Sequence, residues 1–122
     1  MKTIYDSVLK IIKEYSPDEL AIEEAFYSKN IKSTMVIGQA RGAAILAAGQ
    51  AGIEVTEYSP REIKRSIVGM GNASKSQVQY MVKNLLNLRE IPHPEDAADA
   101  LAIALCHAHN IDSKNRLKMI RG

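Results

Sequence analysis

Only two segments of this 122-residue chain carry a strand pattern, and that scarcity constrains its fold more than any other feature. Residues 20–26 form a short, largely apolar run, and residues 53–58 alternate between apolar and polar side chains. Five helical patterns surround these runs, so the predicted order is αβαβααα, an α/β fold with parallel strands joined by a helical crossover. Because stable sheets usually have three or more strands, we expect further strands before Met1 to complete the fold.

The helical patterns have recognisable start and end signals. Ser33 is a predicted N-cap, Ser59-Pro60 opens a helix, and Ser74 with Gln77 forms a capping box. The predicted helices cover about 4–15, 33–50, 60–68, 74–88 and 93–110. The apolar stripe of the first helix consists of Ile4, Val8, Ile11, Ile12 and Tyr15.

Composition excludes several classes of protein. Hydrophobic residues make up 46% of the chain and charged residues 25%, which is a globular balance. No apolar run approaches the ~18 residues that a membrane span needs, and the first residues carry no signal-peptide pattern. The single cysteine, Cys106, excludes an intrachain disulfide and fits a reducing cytoplasm.

Charge is unevenly distributed along a chain whose formal net charge is only +2. Basic residues concentrate in two clusters, Arg61, Lys64, Arg65, Lys75 and Lys83, and then Lys114, Arg116, Lys118 and Arg121. Such clusters suggest a polyanion on one face, although ordinary solvated side chains explain them equally well on charge alone. We predict one domain over residues 1–110, followed by a basic, flexible tail at 111–122.

Three carboxylates stand at places where a buried site is expected. Asp96 and Asp99 lie three apart near the start of the last helix, which is apolar almost all round and should be buried on most sides. We expect both to point inward, although the preference of acids for a first helical turn accounts for Asp96 by itself. Glu23 and Glu24 must project to opposite faces of their strand. Glu23, Asp96 and Asp99 together would suit Mg²⁺ or Mn²⁺ and two-metal phosphodiester hydrolysis.

The segment between the third and fourth helices has features of a polyanion-binding loop. Lys75 falls in the first turn of a helix, where a cation opposes the helix dipole, and a broken local rule of this kind hints at function. Gly69 and Gly71 allow the backbone to come close to a ligand, although this spacing is common in turns. Phe26, the single phenylalanine, is either a core residue or a wedge that stacks on an unpaired base.

The helix predicted over residues 33–50 carries apolar side chains on too many faces for burial on one side. Met35 is one of these residues, and Gly38 and Gly42, four apart, permit the close approach of another helix. Both features suit a two-fold interface between copies of the chain, with a central core helix of a monomer as the alternative.

Four blocks of the sequence also carry a resemblance to a known family. They are AIEEAF at 21–26, GQARG at 38–42, the run from Lys64 through VGMG to KSQVQ at 64–79, and DAADALA at 96–102. In this order and spacing they resemble the RuvC Holliday junction resolvases over about residues 1–110. The resemblance implies a ribonuclease-H-like fold, a homodimer and Mg²⁺-dependent paired nicking of four-way DNA junctions in recombination and repair. It also implies partnership with a branch-migration motor.

The resemblance can be carried over position by position. Glu23, Asp96 and Asp99 match three of the four active-site acids of the family. Lys64 and Lys75 match basic residues associated with DNA binding and catalysis, and Phe26 matches an aromatic residue that handles the bases of the junction. Arg65, in the same basic cluster, is a further DNA-binding candidate.

The sequence departs from the family pattern at its start. The family opens with a β-hairpin leaflet whose first strand carries an aspartate in a Gly-Ile-Asp-Pro-Gly-type motif, and no such motif occurs here. Asp6 and Asp18 fall on a helix and a turn, and neither is assigned this role. We therefore expect an N-terminally truncated ribonuclease-H-like core that is inactive or impaired as a nuclease. The alternatives are a non-catalytic junction-binding or dimerisation module and a related nuclease acting on RNA.

Overall fold

The computed structural model of the chain describes residues 2–24 and 30–121. Its elements are α1 (Lys2–Tyr15), β1 (Glu19–Glu23), α2 (Ile31–Gln50), β2 (Glu54–Tyr58), α3 (Pro60–Val68), α4 (Lys75–Leu85) and α5 (Glu95–Arg121), and this order confirms the predicted αβαβααα pattern. The strands β1 and β2 pair in a small parallel sheet, and α2 is the crossover between them. By its internal contacts the chain divides into two compact units, Met1–Glu57 and Tyr58–Gly122.

In the first unit, α1 packs against α2. Ile4, Val8 and Ile12 are partly buried, as their four-residue spacing predicts. The predicted stripe was too wide, because Ile11 and Tyr15 remain 53% and 71% exposed. Consecutive helical residues lie about 100° apart around the axis, so the side chain of Ile11 lies well away from that of the partly buried Ile12.

The helix α2 begins earlier than predicted, because Asn30 and not Ser33 is its N-cap. The side-chain oxygen of Asn30 accepts hydrogen bonds from the backbone N–H groups of Lys32 at 2.9 Å and Ser33 at 3.4 Å. Asparagine caps a helix as well as serine does, so the choice between two neighbouring polar residues was not fixed by residue type. Near the other end of α2, Ala47 and Ala48 are fully buried.

In the second unit, α3, α4 and α5 pack on one another. The largest share of the buried side chains comes from one stripe on each helix: Ile63, Ile67, Val82, Ala98, Ala102 and Cys106. The helices α3 and α4 both begin at complete capping boxes, Ser59 with Glu62 and the predicted Ser74 with Gln77. Gly69 ends α3 with φ of 93°, a left-handed conformation that a residue without Cβ adopts at little cost. These caps fix both ends of the segment that leads from α3 to Lys75.

The last helix is longer than the sequence pattern predicted. It was expected to end near Asn110, but α5 continues to Arg121. Asp112 and Arg116, four residues apart, form an ion pair of 3.2 Å on this extension, and such pairs favour helix over coil.

The middle of α5 is fully buried along one stripe, partly buried beside it and exposed on the remaining side. Ala98, Ala102 and Cys106 are at most 4% exposed, and Leu101, Ile103 and Leu105 are partly buried, whereas Ala100 and Ala104 face solvent, so the helix is covered on most sides but not all round. An exposed alanine methyl group costs little, and alanine is the best helix former, so an alanine-rich helix need not be buried all round. Across residues 2–24 and 30–121, no helix has the length and apolar character to cross a membrane.

Candidate acidic and nucleic-acid-binding site

Two carboxylates and a lysine meet at the start of α5. Asp96 and Asp99 occupy the first turns of this helix and lie three residues apart, so both stand on neighbouring parts of its surface. The expectation that both point inward was wrong for Asp96, which is exposed, and the Asp99 side chain retains 46% of its accessible area. The reason is their position, since the packed stripe of α5 begins at Ala98 and leaves the first turn outside the core.

The lysine is Lys75, the first residue of α4, as predicted. Its Nζ donates to Oδ2 of Asp99 at 3.5 Å and lies 3.3 Å from Oε2 of Glu95. The hydrogen bond with Glu95, followed by the negative charge of Asp99, raises the pKa of Lys75 above its ordinary value. The ammonium group therefore stays charged at every physiological pH and joins the starts of α4 and α5.

The third predicted acid belongs to the other unit. Glu23 is the last residue of β1, and its side chain is exposed. Among the residues that the structure describes, no group of three or more His, Cys, Asp or Glu side chains is arranged to hold a metal ion. The donor chemistry nevertheless fits a hard divalent cation, because Asp96 and Asp99 are accessible carboxylates and Mg²⁺ prefers oxygen ligands. The three-carboxylate site therefore stays a prediction.

The remaining predicted DNA-binding residues differ in how exposed their side chains are. On α3, Lys64 is partly exposed, while Arg65 is exposed and lines a cleft described below. Phe26 lies outside the described residues. The close approach of a ligand at Gly71 stays a prediction, and the group that lies over Gly71 in this structure is Arg61 of the same chain. A Cβ atom at Gly71 would lie 2.7 Å from Cγ of Arg61, so the absence of a side chain gives the arginine its place over the loop.

A polar network that the sequence did not predict lies between the end of β2 and α5. The hydroxyl group of Tyr58 is 2.6 Å from Nδ1 of His107 and accepts a hydrogen bond from Nδ2 of Asn110 at 3.0 Å. The hydroxyl of Ser66 is 3.0 Å from Nδ1 of His109. The spacing of His107 and Asn110, three apart on a helix, was the available signal that they share a face. The network borders an open cleft of about 260 Å³ between α3 and α5.

Cys106 lies at the inner wall of this α3–α5 cleft and is 4% exposed, so it is a small buried residue. Its Sγ is 3.9 Å from the backbone oxygen of Glu62, a weak hydrogen bond. Burial raises the pKa of the thiol above its ordinary value. A thiol held neutral in this way is a poor nucleophile and a poor metal ligand.

The predicted interface residues lie along α2. Met35 is 59% exposed, and Gly38 and Gly42 are exposed at spacings of three and four residues, so the three share one face. A Cβ atom built on either glycine would meet no other described atom within 4 Å. Neither glycine is therefore required by packing among the described residues of this chain.

Comparison with known proteins gives one consistent result. The family model for "Crossover junction endodeoxyribonuclease RuvC" matches residues 1–107. A curated RuvC from Pelotomaculum thermopropionicum is 46% identical over 119 residues, which are 98% of this chain and 73% of that protein. A RuvC from Idiomarina loihiensis is 56% identical over 119 residues, again 98% of this chain but 65% of the relative. The chain thus spans about two thirds to three quarters of the length of these relatives.

Solved structures agree with the sequence comparison. A Thermus thermophilus RuvC structure superposes with a TM-score of 0.83 at 36% identity, covering 93% of this chain and 68% of that one. The T. thermophilus RuvC in complex with a Holliday junction substrate gives a TM-score of 0.84 at 38% identity, covering 90% and 67%. The predicted ribonuclease-H-like fold is thereby confirmed.

Proposed function

This chain belongs to the RuvC family of crossover junction endodeoxyribonucleases, and we propose that it binds four-way (Holliday) DNA junctions and supplies most of a metal-dependent nuclease that nicks them in pairs. One observation of its own carries the proposal, namely the meeting of Lys75 with Asp99 at adjacent helix starts. An ammonium group beside accessible carboxylates provides one group for a phosphate and others for a cation, which is what hydrolysis of a phosphodiester requires.

The cation is proposed to be Mg²⁺, with Mn²⁺ as a substitute, held by Glu23, Asp96 and Asp99. Such a cation, when bound, activates water and offsets charge on the leaving oxygen. Asp96 and Asp99 supply adjacent oxygen ligands from one rigid helix, and Glu23 is proposed to supply another from the end of β1. Lys75 is proposed to attract the scissile phosphate and hold it near these acids by charge.

The remaining DNA contacts are proposed for Lys64 and Arg65 on α3 and for Phe26. Exposure of Arg65 and partial exposure of Lys64 leave both cations available to the phosphate backbone. Phe26 is proposed to stack on bases near the crossover, where pairing is interrupted and an aromatic face can replace a neighbouring base.

A homodimer is proposed as the active form, because a junction with two symmetric cleavage points calls for two symmetric sites. The face of α2 with Met35, Gly38 and Gly42 is the proposed contact, since its small residues are exposed and permit close helix packing. A branch-migration motor is the proposed partner during recombination and repair. The place of action is proposed to be the cytoplasm, which suits a DNA substrate and a single unpaired cysteine.

The 122 residues by themselves are proposed to cut slowly or not at all, because they contain no counterpart of the aspartate in the family's first strand. The second candidate function follows from the same observation: a module that binds junctions or mediates dimerisation without catalysis. The two candidates differ in their need for a cation, since a non-catalytic module has no use for Mn²⁺ at Asp96 and Asp99.

The deciding experiment measures binding and cleavage of a labelled four-way junction by these 122 residues. Binding is followed by fluorescence anisotropy in EDTA, with a linear duplex of equal length as the control, and cleavage is followed in Mg²⁺. We expect preference for the junction, Mn²⁺ binding by the wild type, and loss of that binding in the Asp96→Asn, Asp99→Asn double variant. Equal affinity for junction and duplex would contradict the proposed substrate, and Mn²⁺ binding that survives the double variant would contradict the proposed ligands.

A further inference from the structure

The contact between Lys75 and α5 has a second partner that neither the sequence pattern nor the family resemblance assigned. Nζ of Lys75 is 3.3 Å from Glu95 and 3.5 Å from Asp99, so the shorter of the two ion pairs is the one with Glu95. Glu95 and Asp99 are four residues apart on α5 and face the same way. One ammonium group is therefore shared by two carboxylates of a single helix.

The three acids at the start of α5 have a definite order around its axis. With a turn of about 100° per residue, Asp99 stands about 40° from Glu95 on one side and about 60° from Asp96 on the other. Asp99 is thus the middle carboxylate. It borders Lys75 and Glu95 on one side and its proposed fellow ligand Asp96 on the other.

Lys75 needs such a second partner to stay in place. Its ammonium group ends a flexible four-carbon chain that is 54% exposed, and it starts α4, where the helix dipole disfavours a cation. A single exposed ion pair holds such a chain weakly, whereas a network of charges holds it better. Glu95 is well suited to this task, because a carboxylate in the first turn of α5 is itself favoured by the dipole of that helix.

We infer that Glu95 is a positioning residue for Lys75, which keeps the ammonium group beside the acidic site when a cation engages Asp99. This inference rests on the proposed function, since it takes Asp99 as a cation ligand and Lys75 as a phosphate contact. A divalent cation held by Asp99 would compete with Lys75 for the carboxylate and would repel the ammonium group. Glu95, which is not one of the proposed ligands, then remains as the partner that prevents Lys75 from swinging into solvent.

The test is a double-mutant cycle of Glu95→Gln and Lys75→Met, read out as affinity for a four-way junction in Ca²⁺ and in EDTA. Ca²⁺ serves as a hard-cation probe, and anisotropy measures binding whether or not cleavage occurs. In Ca²⁺ we expect Lys75→Met to weaken binding by about fivefold in the wild type, the order of one lost phosphate contact. In the Glu95→Gln background the same change should cost less than about twofold. In EDTA the affinity lost on Lys75→Met should differ less between the wild type and the Glu95→Gln background, because Asp99 then holds Lys75 in both.

Asp112→Asn is the matched control, because it removes an exposed carboxylate from the same helix, one that pairs with Arg116 and not with Lys75. In the Asp112→Asn background, Lys75→Met should weaken junction binding as much as it does in the wild type. If Glu95→Gln acts only through overall charge, it should raise junction affinity equally with lysine or methionine at position 75. Lys75→Met would then weaken binding in Ca²⁺ equally with Glu95 or Gln at position 95. That result would overturn the inference and leave the proposed function standing. Coupling of equal size in Ca²⁺ and EDTA would overturn the part assigned to the cation. If Lys75→Met costs nothing in the wild type, the DNA role proposed for Lys75 fails, and this inference fails with it.

Discussion

The hydroxyl group of Tyr58 lies 2.6 Å from Nδ1 of His107, which ties the last residue of β2 to the middle of α5. Tyr58 is 4% exposed, and the same hydroxyl accepts a hydrogen bond from Asn110. The two rings also meet edge to face, with centroids 5.6 Å apart. Tyr58 is therefore held to the helix that carries Asp96 and Asp99 by polar groups as well as by a ring contact.

Tyr58→Phe is expected to lower the free energy of unfolding by about 1–3 kcal/mol, because it removes the partly buried hydroxyl group that hydrogen-bonds with His107 and Asn110. Urea denaturation measures the change. Tyr80→Phe removes a hydroxyl from a side chain that is 56% exposed and should change stability by less than about 0.5 kcal/mol. Equal effects of the two substitutions would show that the network contributes nothing.

Asp96→Asn and Asp99→Asn are each expected to weaken Mn²⁺ binding by at least about tenfold, because each removes a charged oxygen ligand. Electron paramagnetic resonance of free Mn²⁺ during titration gives the affinity. Asp112→Asn, an equal loss of charge on the same helix, should leave the affinity within about twofold. If all three variants bind alike, the cation is attracted by overall charge and not by the acidic pair.

Gly38→Ala is expected to act in opposite directions on the single chain and on its self-association. Alanine in the middle of a helix is favoured over glycine by about 1 kcal/mol, and nothing in the described part of the chain obstructs a Cβ there. The thermal midpoint of dilute protein should therefore rise. On the proposed interface the added methyl group should separate the two helices and weaken dimerisation, measured by sedimentation equilibrium. Gln39→Ala, one residue away and exposed, should leave dimerisation unchanged.

Ser74→Ala is expected to lower the free energy of unfolding by about 1 kcal/mol, since the Ser74 side chain accepts from the N–H group of Gln77 at 3.2 Å. It should also weaken junction binding, because Lys75 directly follows this cap. Ser76→Ala is the control, because it removes an exposed hydroxyl two residues after Ser74 that does not cap the helix. It should change stability and binding very little. The comparison needs only chemical denaturation and anisotropy.

Cys106 is expected to react with iodoacetamide at pH 8 at least about tenfold more slowly in the folded chain than in urea, because burial both shields the thiol and raises its pKa. A folded pKa above the unfolded value gives a contribution to stability that is complete below the unfolded pKa and is lost as pH rises through the folded one. The unfolding midpoint of the wild type should therefore fall more steeply above about pH 9 than that of Cys106→Ala.

The elements whose local signals agreed were predictable from the sequence. The capping box at Ser74 and the proline at the start of α3 lie in segments whose apolar spacing is also helical, and both helices begin there. The start of α2 was missed because two polar residues, Asn30 and Ser33, were equally able to cap it. The end of α5 was placed too early because the apolar spacing fades after Asn110, although no glycine or proline interrupts residues 111–121.

The candidate site was predictable as a set of residue types and less so as a set of contacts. Asp99 and Lys75 each break a local rule, since one is an acid among alanines and the other is a cation at a helix start, so the sequence marks each of them separately. Their contact depends on how α4 packs against α5, which no local pattern contains. Glu95 carries no such signal, since an acid in a first helical turn is the residue that the helix dipole favours.

The small buried residues of α5 determine how far its axis lies from the core, and so where Asp96 and Asp99 lie. The helix is a rigid rod of about 40 Å, and Ala98, Ala102 and Cys106 are its points of contact with the core. A larger side chain at Ala102 would push the whole rod, and Asp96 and Asp99 would travel with it. Since a displacement of about 1 Å can reduce a reaction rate by about a hundredfold, the small side chains at these contacts would set how accurately the carboxylates are placed if they hold the cation as proposed.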